Sequence, residues 1–309
     1  MQLGFTLPQC GDEATPDNVR AVALEAEALG YDSLWVLDRL LYPVAPRVPY
    51  PAARDGAMPH LFQRVLDPLV ALTFAAACTR RIAVGTSVLI LPLYNPVLLA
   101  RQLTTLDVLS AGRLRLAFGT GWSPDEFEAA GVDFGTRGAR TDEALEVLRK
   151  AWTEDTPEHQ GVHYALPRSV MGLRPVQTPH PPIYMAAYTE ATMRRVAERT
   201  DGWNPAGIPI PAMKTMFASI RAMAEAAGRD PAELKLVVRA NLALHEPRAA
   251  SVRSGRGPFH GSWQQIGDDI AATREIGADE IVFEGQMLPS FQGRSGTLEL
   301  MARLRELAQ

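Results

Sequence analysis

The 309-residue sequence predicts a single (β/α)8 barrel. Eight short apolar runs of strand length recur along the chain, and stretches with helical spacing of apolar residues separate them. Several runs are continuous rather than alternating, which is typical of parallel strands that are covered on both faces. No G-x-G-x-x-G motif follows the first run, which disfavours a doubly wound open sheet with an added domain. We therefore expect one domain over residues 1–309.

Each predicted strand is followed by a predicted helix or a long connection. The strands are expected at 3–7, 33–37, 82–88, 114–118, 183–187, 202–204, 234–239 and 280–283. Helices are expected at 19–29, 67–78, 95–110, 141–152, 211–227, 263–276 and 296–307, with one more after Thr189. The third helix is the clearest, since Asn95 can cap it, Pro96 suits its first position and Gly112 suits its far end. Longer connections near 42–66, 157–181 and 245–261 are predicted to be loop insertions at the carboxyl-end face.

Composition and charge exclude several classes of protein. A net charge of -4 provides no basic surface for nucleic acid. The N-terminus lacks a signal peptide pattern, and no apolar run reaches the roughly 18 residues of a membrane span. The two cysteines, Cys10 and Cys78, argue against a disulfide framework. We expect a cytoplasmic protein that acts on a small molecule, without nucleic acid or membrane partners.

In such a barrel the chemistry lies at the carboxyl ends of the strands. The residues there are Cys10, Asp38, Arg39, Gly119, Thr120, Gly121, Trp122, Ala187, Tyr188, Thr189, Asn204, Arg239, Asn241 and Glu284. Asp38 directly follows an apolar strand, so it could be an acid or base, a hydrogen-bond acceptor for a ligand, or half of a structural pair with Arg39 or Arg101. Cys10 is better explained as a small apolar residue than as a nucleophile.

Two of these strand ends have both a structural and a functional interpretation. Gly119-Thr120-Gly121 is either a tight turn or a backbone that a flat ligand can approach, with Trp122 as pocket wall or core. The Tyr188-Thr189 turn is either an anion site at a helix start or an ordinary N-cap. The six histidines do not cluster at metal-ligand spacings, so no metal site is expected and they are interpreted as exposed loop residues.

Four sequence blocks, taken in order, resemble the luciferase-like monooxygenase superfamily, which includes bacterial luciferase and the flavin- and coenzyme F420-dependent oxidoreductases. The blocks are YDSLWVLDR at 31–39, RIAVGTSVLILPLYNPVLLARQLTTLDVLSAGRLRLAFGTGW at 81–122, GARTDEALEVLRKAWTED at 138–155 and PHPPIYMAAYTEATMRRVAERTDGW at 179–203. The resemblance implies a TIM barrel of the bacterial-luciferase type, whose mouth holds the cofactor ring.

The resemblance also implies particular site residues. It places a non-prolyl cis peptide at Ser87–Val88 behind the ring and a segment flanking the ring at Thr120, Gly121 and Trp122. It also places a phosphate-binding turn with backbone amides at Tyr188 and Thr189 and a ligand-contacting carboxylate at Asp38. Leu89, in the lining of the mouth, and Ala187, before the turn, are further expected cofactor contacts. Many deazaflavin-using relatives have histidine where this chain has Arg39. A guanidinium cannot shuttle protons, but it could bind an anionic substrate or stabilise developing negative charge.

The resemblance favours an oxidoreductase that transfers a hydride between F420 and an organic substrate. An FMN-dependent monooxygenase, supplied with reduced flavin by a separate reductase, is the first alternative, and a non-catalytic flavin-binding protein is the second. The acidic tail of F420 would favour basic loop residues, for which the candidates are Arg47, Arg54, Arg64, Arg253, Arg256 and Arg294, all equally explained as solvated charges. The apolar helices at 67–78 and 95–110 could support a homodimer.

Overall fold

Eight parallel strands form a closed barrel in the computed structural model, which describes residues 1–53, 55–244, 256–291 and 293–309. Strands adjacent in the chain are adjacent in the barrel, and the last strand pairs with the first. The barrel strands are β1 Gln2–Thr6, β2 Ser33–Val36, β3 Ala83–Ile90, β4 Leu114–Gly119, β5 Ile183–Met185, β6 Gly202–Trp203, β7 Lys235–Asn241 and β8 Glu280–Glu284. The predicted fold class is confirmed.

Helices follow the strands and surround the barrel. They are α1 Pro16–Leu29, α2 Pro68–Cys78, α3 Pro96–Leu109, α4 Pro124–Ala129, α5 Arg137–Thr153, α6 Glu190–Arg199, α7 Ile210–Ala226, α8 Trp263–Glu275 and α9 Arg294–Leu307. The predicted start of α3 is confirmed, because the Asn95 side chain accepts from two backbone amides and Pro96 is the first helical residue.

Side chains that point into the barrel form three layers. The lower layer contains Ser33, Arg115 and Glu280, the middle layer Trp35, Ala117, Tyr184, Val237 and Val282, and the top layer Ser87, Asn204, Arg239 and Glu284. The middle layer is apolar and fills the barrel, whereas the top layer is polar and lies at the carboxyl ends of the strands. The mouth of the barrel therefore has a polar floor above an apolar plug.

Strand β3 contains a bulge at Val88. Its pairing with β4 shifts by one residue between Ser87 and Leu89, and the Ser87–Val88 peptide bond is cis, as the family resemblance implied. Because of the extra residue, the side chains that face inward change from odd to even numbers along the strand. Val88 packs against the middle layer, while Leu89 is fully buried on the helix side.

Two helices begin three or more residues before their predicted starts, and one helix was not predicted. Helix α1 begins at Pro16 rather than at Val19. Helix α5 begins at Arg137 rather than at Thr141, so Asp142 and Glu143 do not lie in its first turn. Glu143 instead accepts hydrogen bonds from loop 157–181, including one from His159 at 3.2 Å. His159 is buried, which corrects the expectation of an exposed loop histidine. The short α4, which sequence reasoning missed, contributes to the mouth.

The predicted insertions contain little regular structure. The segment 42–66 contains one 3-10 turn, His60–Gln63, and the segment 157–181 contains a small antiparallel pair, His159–Gln160 with Ala165–Leu166. In the third insertion, Ala243–Leu244 pairs with His260–Gly261, and residues 245–255 lie outside the described residues. Within the part of the chain that is described, no helix is both long and apolar enough to span a membrane.

Candidate active site

Arg239 occupies the centre of the polar floor. From β7 its guanidinium donates to the Ser87 carbonyl across the barrel, to Asn241 Oδ1 at 3.1 Å and to Glu284 Oε2 at 2.8 Å. Glu284 is buried, with 4% of its side chain exposed. Three acceptors on three strands hold the guanidinium in place, and the ion pair with Glu284 compensates its charge. The strand ends at Asn241 and Glu284 that sequence reasoning selected are thus brought together.

Val88 forms a small apolar surface beside this floor. The Ser87 hydroxyl is 2.8 Å from Asn204 Oδ1, and the Asn204 amide donates to the Val237 carbonyl at 2.7 Å. A Cβ atom added at Gly119 would lie 2.7 Å from Val88 Cγ2, so a larger residue at that position would have to displace the Val88 side chain. The result is an apolar face with a polar rim.

Asp38 lies beside the end of β3. Its Oδ2 accepts from the Ile90 amide at 2.9 Å and from the Tyr94 hydroxyl at 3.0 Å, and the residue is 7% exposed. Burial raises the pKa of Asp38 to about 6, although both hydrogen bonds oppose this rise. The sequence suggested that Asp38 could pair with Arg39 or with Arg101. Neither arginine donates to this carboxylate in the hydrogen bonds described above. It fixes the strand end that follows the bulge.

Arg39 is buried and paired. Its Nη1 lies 2.9 Å from Glu126 Oε2, with 7% and 1% of the two side chains exposed. The guanidinium carbon lies 5.0 Å from the ring centroid of Trp122 and 5.5 Å from that of Phe62. Its Nε is buried without a hydrogen-bond partner. Burial raises the pKa of Glu126, and the Arg39 charge opposes the rise. An anionic substrate that bound Arg39 would have to compete with the Glu126 carboxylate, which is already paired with it.

Helix α4 holds this region together. Glu126 Oε1 also accepts from the Leu40 amide at 2.8 Å, while Asp125 and Glu128 pair with Arg47 of the 42–66 segment. One face of the helix thus closes on the mouth and the other on the insertion that covers it. The sequence did contain a signal, because Ser-Pro-Asp-Glu at 123–126 is typical of a helix start.

The insertion supplies Tyr50, which sequence reasoning missed. The Tyr50 ring meets Phe62 edge-on at a centroid distance of 5.9 Å and Trp122 at 5.5 Å. Burial raises the pKa of Tyr50, and the charges of Arg239 and Arg39 oppose the rise. Its phenol therefore lies close enough to both guanidinium groups to interact with them electrostatically.

Cys10 packs in the same cluster as Phe62 and Met58 and is 5% exposed. Burial is the largest cause that raises the pKa of its thiol, and the nearby Glu284 adds to it. The Cys10 amide donates to Gln286 Oε1 at 3.1 Å. A protonated, buried thiol is consistent with the apolar interpretation, and both cysteines of the chain are free.

Two of the predicted cofactor contacts, Leu89 and Ala187, are left with only their backbone for such a contact, and they stay predictions. Leu89 and Ala187 are both fully buried in the core between the strands and the helices, so their side chains do not face the mouth. The bulge reverses the alternation for Leu89. Ala186, which precedes Ala187, has the opposite orientation and is partly exposed.

Gly121, the second glycine at the end of β4, is required by the local structure. Gly121 has φ of +75°, and an added Cβ would lie 2.6 Å from Phe127 and 2.7 Å from Ile90. Trp122 packs against the insertion as a wall of the mouth. Thr120 lies between them at the strand end and is partly exposed.

The Tyr188-Thr189 turn is built as a helix cap. The amides of Tyr188 and Thr189 both donate to Thr192 Oγ1, at 3.0 and 2.9 Å, and the Thr189 hydroxyl accepts from the Thr192 amide. This is a capping box at the start of α6. A phosphate bound by these two amides would have to displace the Thr192 hydroxyl, so the phosphate site stays a prediction.

Three of the six loop arginines proposed for an acidic tail are ion-paired. Arg47 pairs with Asp125 and Glu128, Arg64 with Asp12 at 2.8 Å, and Arg256 with Asp269 at 2.5 Å. Arg54 and Arg253 lie outside the described residues. Over the described ranges, no group of three histidine, cysteine or acidic side chains is arranged to hold a metal ion.

Comparison with known proteins supports this picture. A family model described as luciferase-like monooxygenase matches residues 1–259. An uncharacterized protein of Mycobacterium tuberculosis is 33% identical over 218 residues, 70% of this chain and 75% of its own. The F420-dependent glucose-6-phosphate dehydrogenase of Kineococcus radiotolerans is 30% identical over 263 residues, 83% of this chain and 72% of its own. The monooxygenase RslO1 from Streptomyces bottropensis shares the fold, with a TM-score of 0.79 at 23% identity over 99% of this chain and 98% of its own.

Proposed function

The chain belongs to the luciferase-like monooxygenase family, and on that premise we propose that it is an oxidoreductase that transfers a hydride between coenzyme F420 and an organic substrate. The cofactor ring supplies the hydride chemistry when it is bound, and the barrel supplies orientation and electrostatics. The observation that carries the proposal is the apolar face of Val88 with its polar rim at the barrel mouth.

A planar heterocycle with a polar edge fits this arrangement. Val88 offers an apolar face that is backed by the middle layer of the barrel, and Gly119 keeps the neighbouring strand close to it. The groups on the rim, Asn204 and Arg239, can donate hydrogen bonds or orient the edge of the ring. Asp38 would act by positioning, since its hydrogen bonds to Ile90 and Tyr94 hold the end of β3.

The choice of F420 leans on the relative from Kineococcus radiotolerans, whose name states that cofactor. One observation favours the FMN-dependent monooxygenase instead. Three of the loop arginines suited to the acidic tail of F420 are already ion-paired, and FMN does not need them. In that case a separate reductase would supply the reduced flavin.

Equilibrium binding of F420 and of FMN, followed by turnover assays, tests the proposal. We expect tight binding of F420, weak binding of FMN, and substrate-dependent change in the F420 absorbance. Binding of FMN with oxygen-dependent turnover would select the monooxygenase. Binding without turnover over a broad substrate panel would select a non-catalytic flavin-binding protein, and failure to bind either cofactor would overturn all three.

Substitution of a glycine tests whether the cofactor binds against Val88. Gly119→Ala puts a Cβ against Val88, so we expect cofactor affinity to fall by about tenfold or more, roughly 1.4 kcal/mol. Gly172→Ala is the matched control, because its Cβ meets no neighbour within 4 Å and its φ is not positive. Equal affinities for the two variants would place the cofactor elsewhere.

A further inference from the structure

We propose that the substrate of this mouth is an uncharged, largely apolar molecule with one carbonyl or hydroxyl oxygen, and not a phosphate or carboxylate. This inference rests on the proposed function, because it names the substrate class of the same site. It follows from how the charges at the mouth are compensated and from what covers them.

Both guanidinium groups at the mouth already have carboxylate partners. Arg39 lies 2.9 Å from Glu126, and Arg239 lies 2.8 Å from Glu284. The two carboxylates are nearly inaccessible, with 1% and 4% of their side chains exposed, so neither can move into solvent to make room for an anion. A second anion beside either pair would be repelled by the first and would lose its own hydration.

The remaining charge at the mouth is also unfavourable to anions. Asp38 adds a third carboxyl group near Arg39 and Glu126, and at neutral pH it is largely ionised. Among the described groups placed at the mouth, three acids thus face two arginines. The nearby loop arginine Arg47 is committed to α4 and adds no free positive charge.

The cover is apolar and aromatic. Tyr50, Phe62 and Trp122 meet edge-to-face, and Met58 and Leu61 belong to the same cluster. Aromatic walls of this kind bury apolar ligands with defined geometry. They would leave the hydroxyl groups of a sugar without partners.

Tyr50 supplies a polar contact inside this wall. Its turn is closed by a hydrogen bond from the Tyr50 amide to the Gly56 carbonyl at 2.8 Å. Gly56 has φ of +72°, and a Cβ atom added there would lie only 2.6 Å from Pro49, so the turn requires glycine. The Tyr50 phenol is a hydrogen-bond donor at neutral pH, and burial raises its pKa further from its ordinary value. A neutral oxygen on the substrate is the acceptor that suits it.

Matched ligands on one scaffold test the inference. Benzyl alcohol, benzaldehyde, benzoate and benzyl phosphate are titrated into the full chain, with and without bound cofactor, by calorimetry. We expect the two neutral compounds to bind at least about tenfold more tightly than the two anions. Tighter binding of benzoate or benzyl phosphate, or preferred binding of glucose 6-phosphate, would overturn the inference.

A variant on α4 makes the test specific to charge. Glu126→Gln removes the compensating carboxylate, so affinity for benzyl phosphate should rise by about tenfold while affinity for benzyl alcohol changes less than about threefold. Glu128→Gln on the same helix, which pairs with Arg47 at the surface, should change neither. If Glu126→Gln leaves the affinity for benzyl phosphate unchanged in a folded protein, charge compensation does not decide substrate class.

A second variant remains informative if Glu126→Gln does not fold. Tyr50→Phe should weaken binding of benzyl alcohol by about fivefold and leave toluene unchanged, and equal effects on both would remove Tyr50 from recognition. The two proposals fail separately. Neutral ligands that bind but never turn over with either cofactor would refute the proposed function alone, whereas turnover of anions only would refute this inference alone.

Discussion

The buried carboxyl group of Asp38 makes a quantitative prediction about stability and pH. Folding raises the pKa of Asp38 from its ordinary value of 3.8 to about 6, with burial as the main cause. An acid with a raised pKa contributes stability that is fully present below pH 4 and is lost as the pH rises through 6. At 1.36 kcal/mol for each pH unit between the two values, the loss amounts to about 3 kcal/mol.

Asp38→Asn isolates this effect. Both hydrogen bonds end on the same oxygen, Oδ2, so an asparagine oxygen in that place can still accept from Ile90 and Tyr94. The variant has no carboxyl group to ionise. We therefore expect its free energy of unfolding, relative to that of the natural protein, to increase by about 3 kcal/mol between pH 4 and pH 7.

Urea denaturation at intervals of half a pH unit measures the difference directly. Asp155→Asn serves as the control, because that side chain is fully exposed and its substitution should give a flat difference. A flat difference for Asp38→Asn as well would refute the reasoning, since it would mean that the carboxyl group titrates normally in the folded protein. A difference that decreases with pH would mean that the hydrogen bonds outweigh burial.

Three further substitutions test other parts of the mouth. Arg39→Met leaves the buried carboxylate of Glu126 unpaired and should lower the free energy of unfolding, measured by urea denaturation, by about 3–5 kcal/mol. Adding Glu126→Met should recover much of that loss, and equal losses in the single and double variants would contradict this. Gly121→Ala introduces a Cβ at positive φ against two side chains and should lower the thermal midpoint further than Gly131→Ala, which has positive φ but open space; similar midpoints would show that the neighbours yield. Thr189→Ala removes the cap of α6 and should cost about 1 kcal/mol of unfolding free energy, and no loss would mean that the cap is dispensable.

The barrel could be predicted because its pattern is local. Continuous apolar runs of strand length, separated by segments with helical spacing, identify the alternation without any knowledge of long-range contacts. Start signals such as Asn95-Pro96 depend only on neighbouring residues, and the structure confirms them. The rule that functional side chains lie at the carboxyl ends of barrel strands selected Arg239, Asn241 and Glu284, and the structure places these three side chains in contact.

The pairings within the mouth could not be predicted in the same way. Arg39 and Glu126 are 87 residues apart, and the contact of Arg239 with Ser87 spans 152. No periodicity relates such positions. Tyr50 lies in a segment without repeating pattern, and its place is fixed by contacts of its ring with Trp122 and Phe62. Arg39 could therefore be interpreted from the sequence as a free cation, whereas the folded chain pairs it with an acid.

The bulge in β3 has a consequence for how this part of the gene can vary. Before Val88 the strand buries its odd-numbered side chains inside the barrel, and after it the even-numbered ones. Loss of the Val88 codon would remove the bulge, so Leu89 and Ile90 would keep their directions but the apolar surface beside the polar floor would be lost. Loss of the Leu89 codon would keep the bulge but turn Ile90, whose amide donates to Asp38, toward the helices. Surface loops of this barrel can gain or lose residues, but the run from Ser87 to Ile90 has a fixed length. An alignment of relatives should therefore show substitutions there and no gaps.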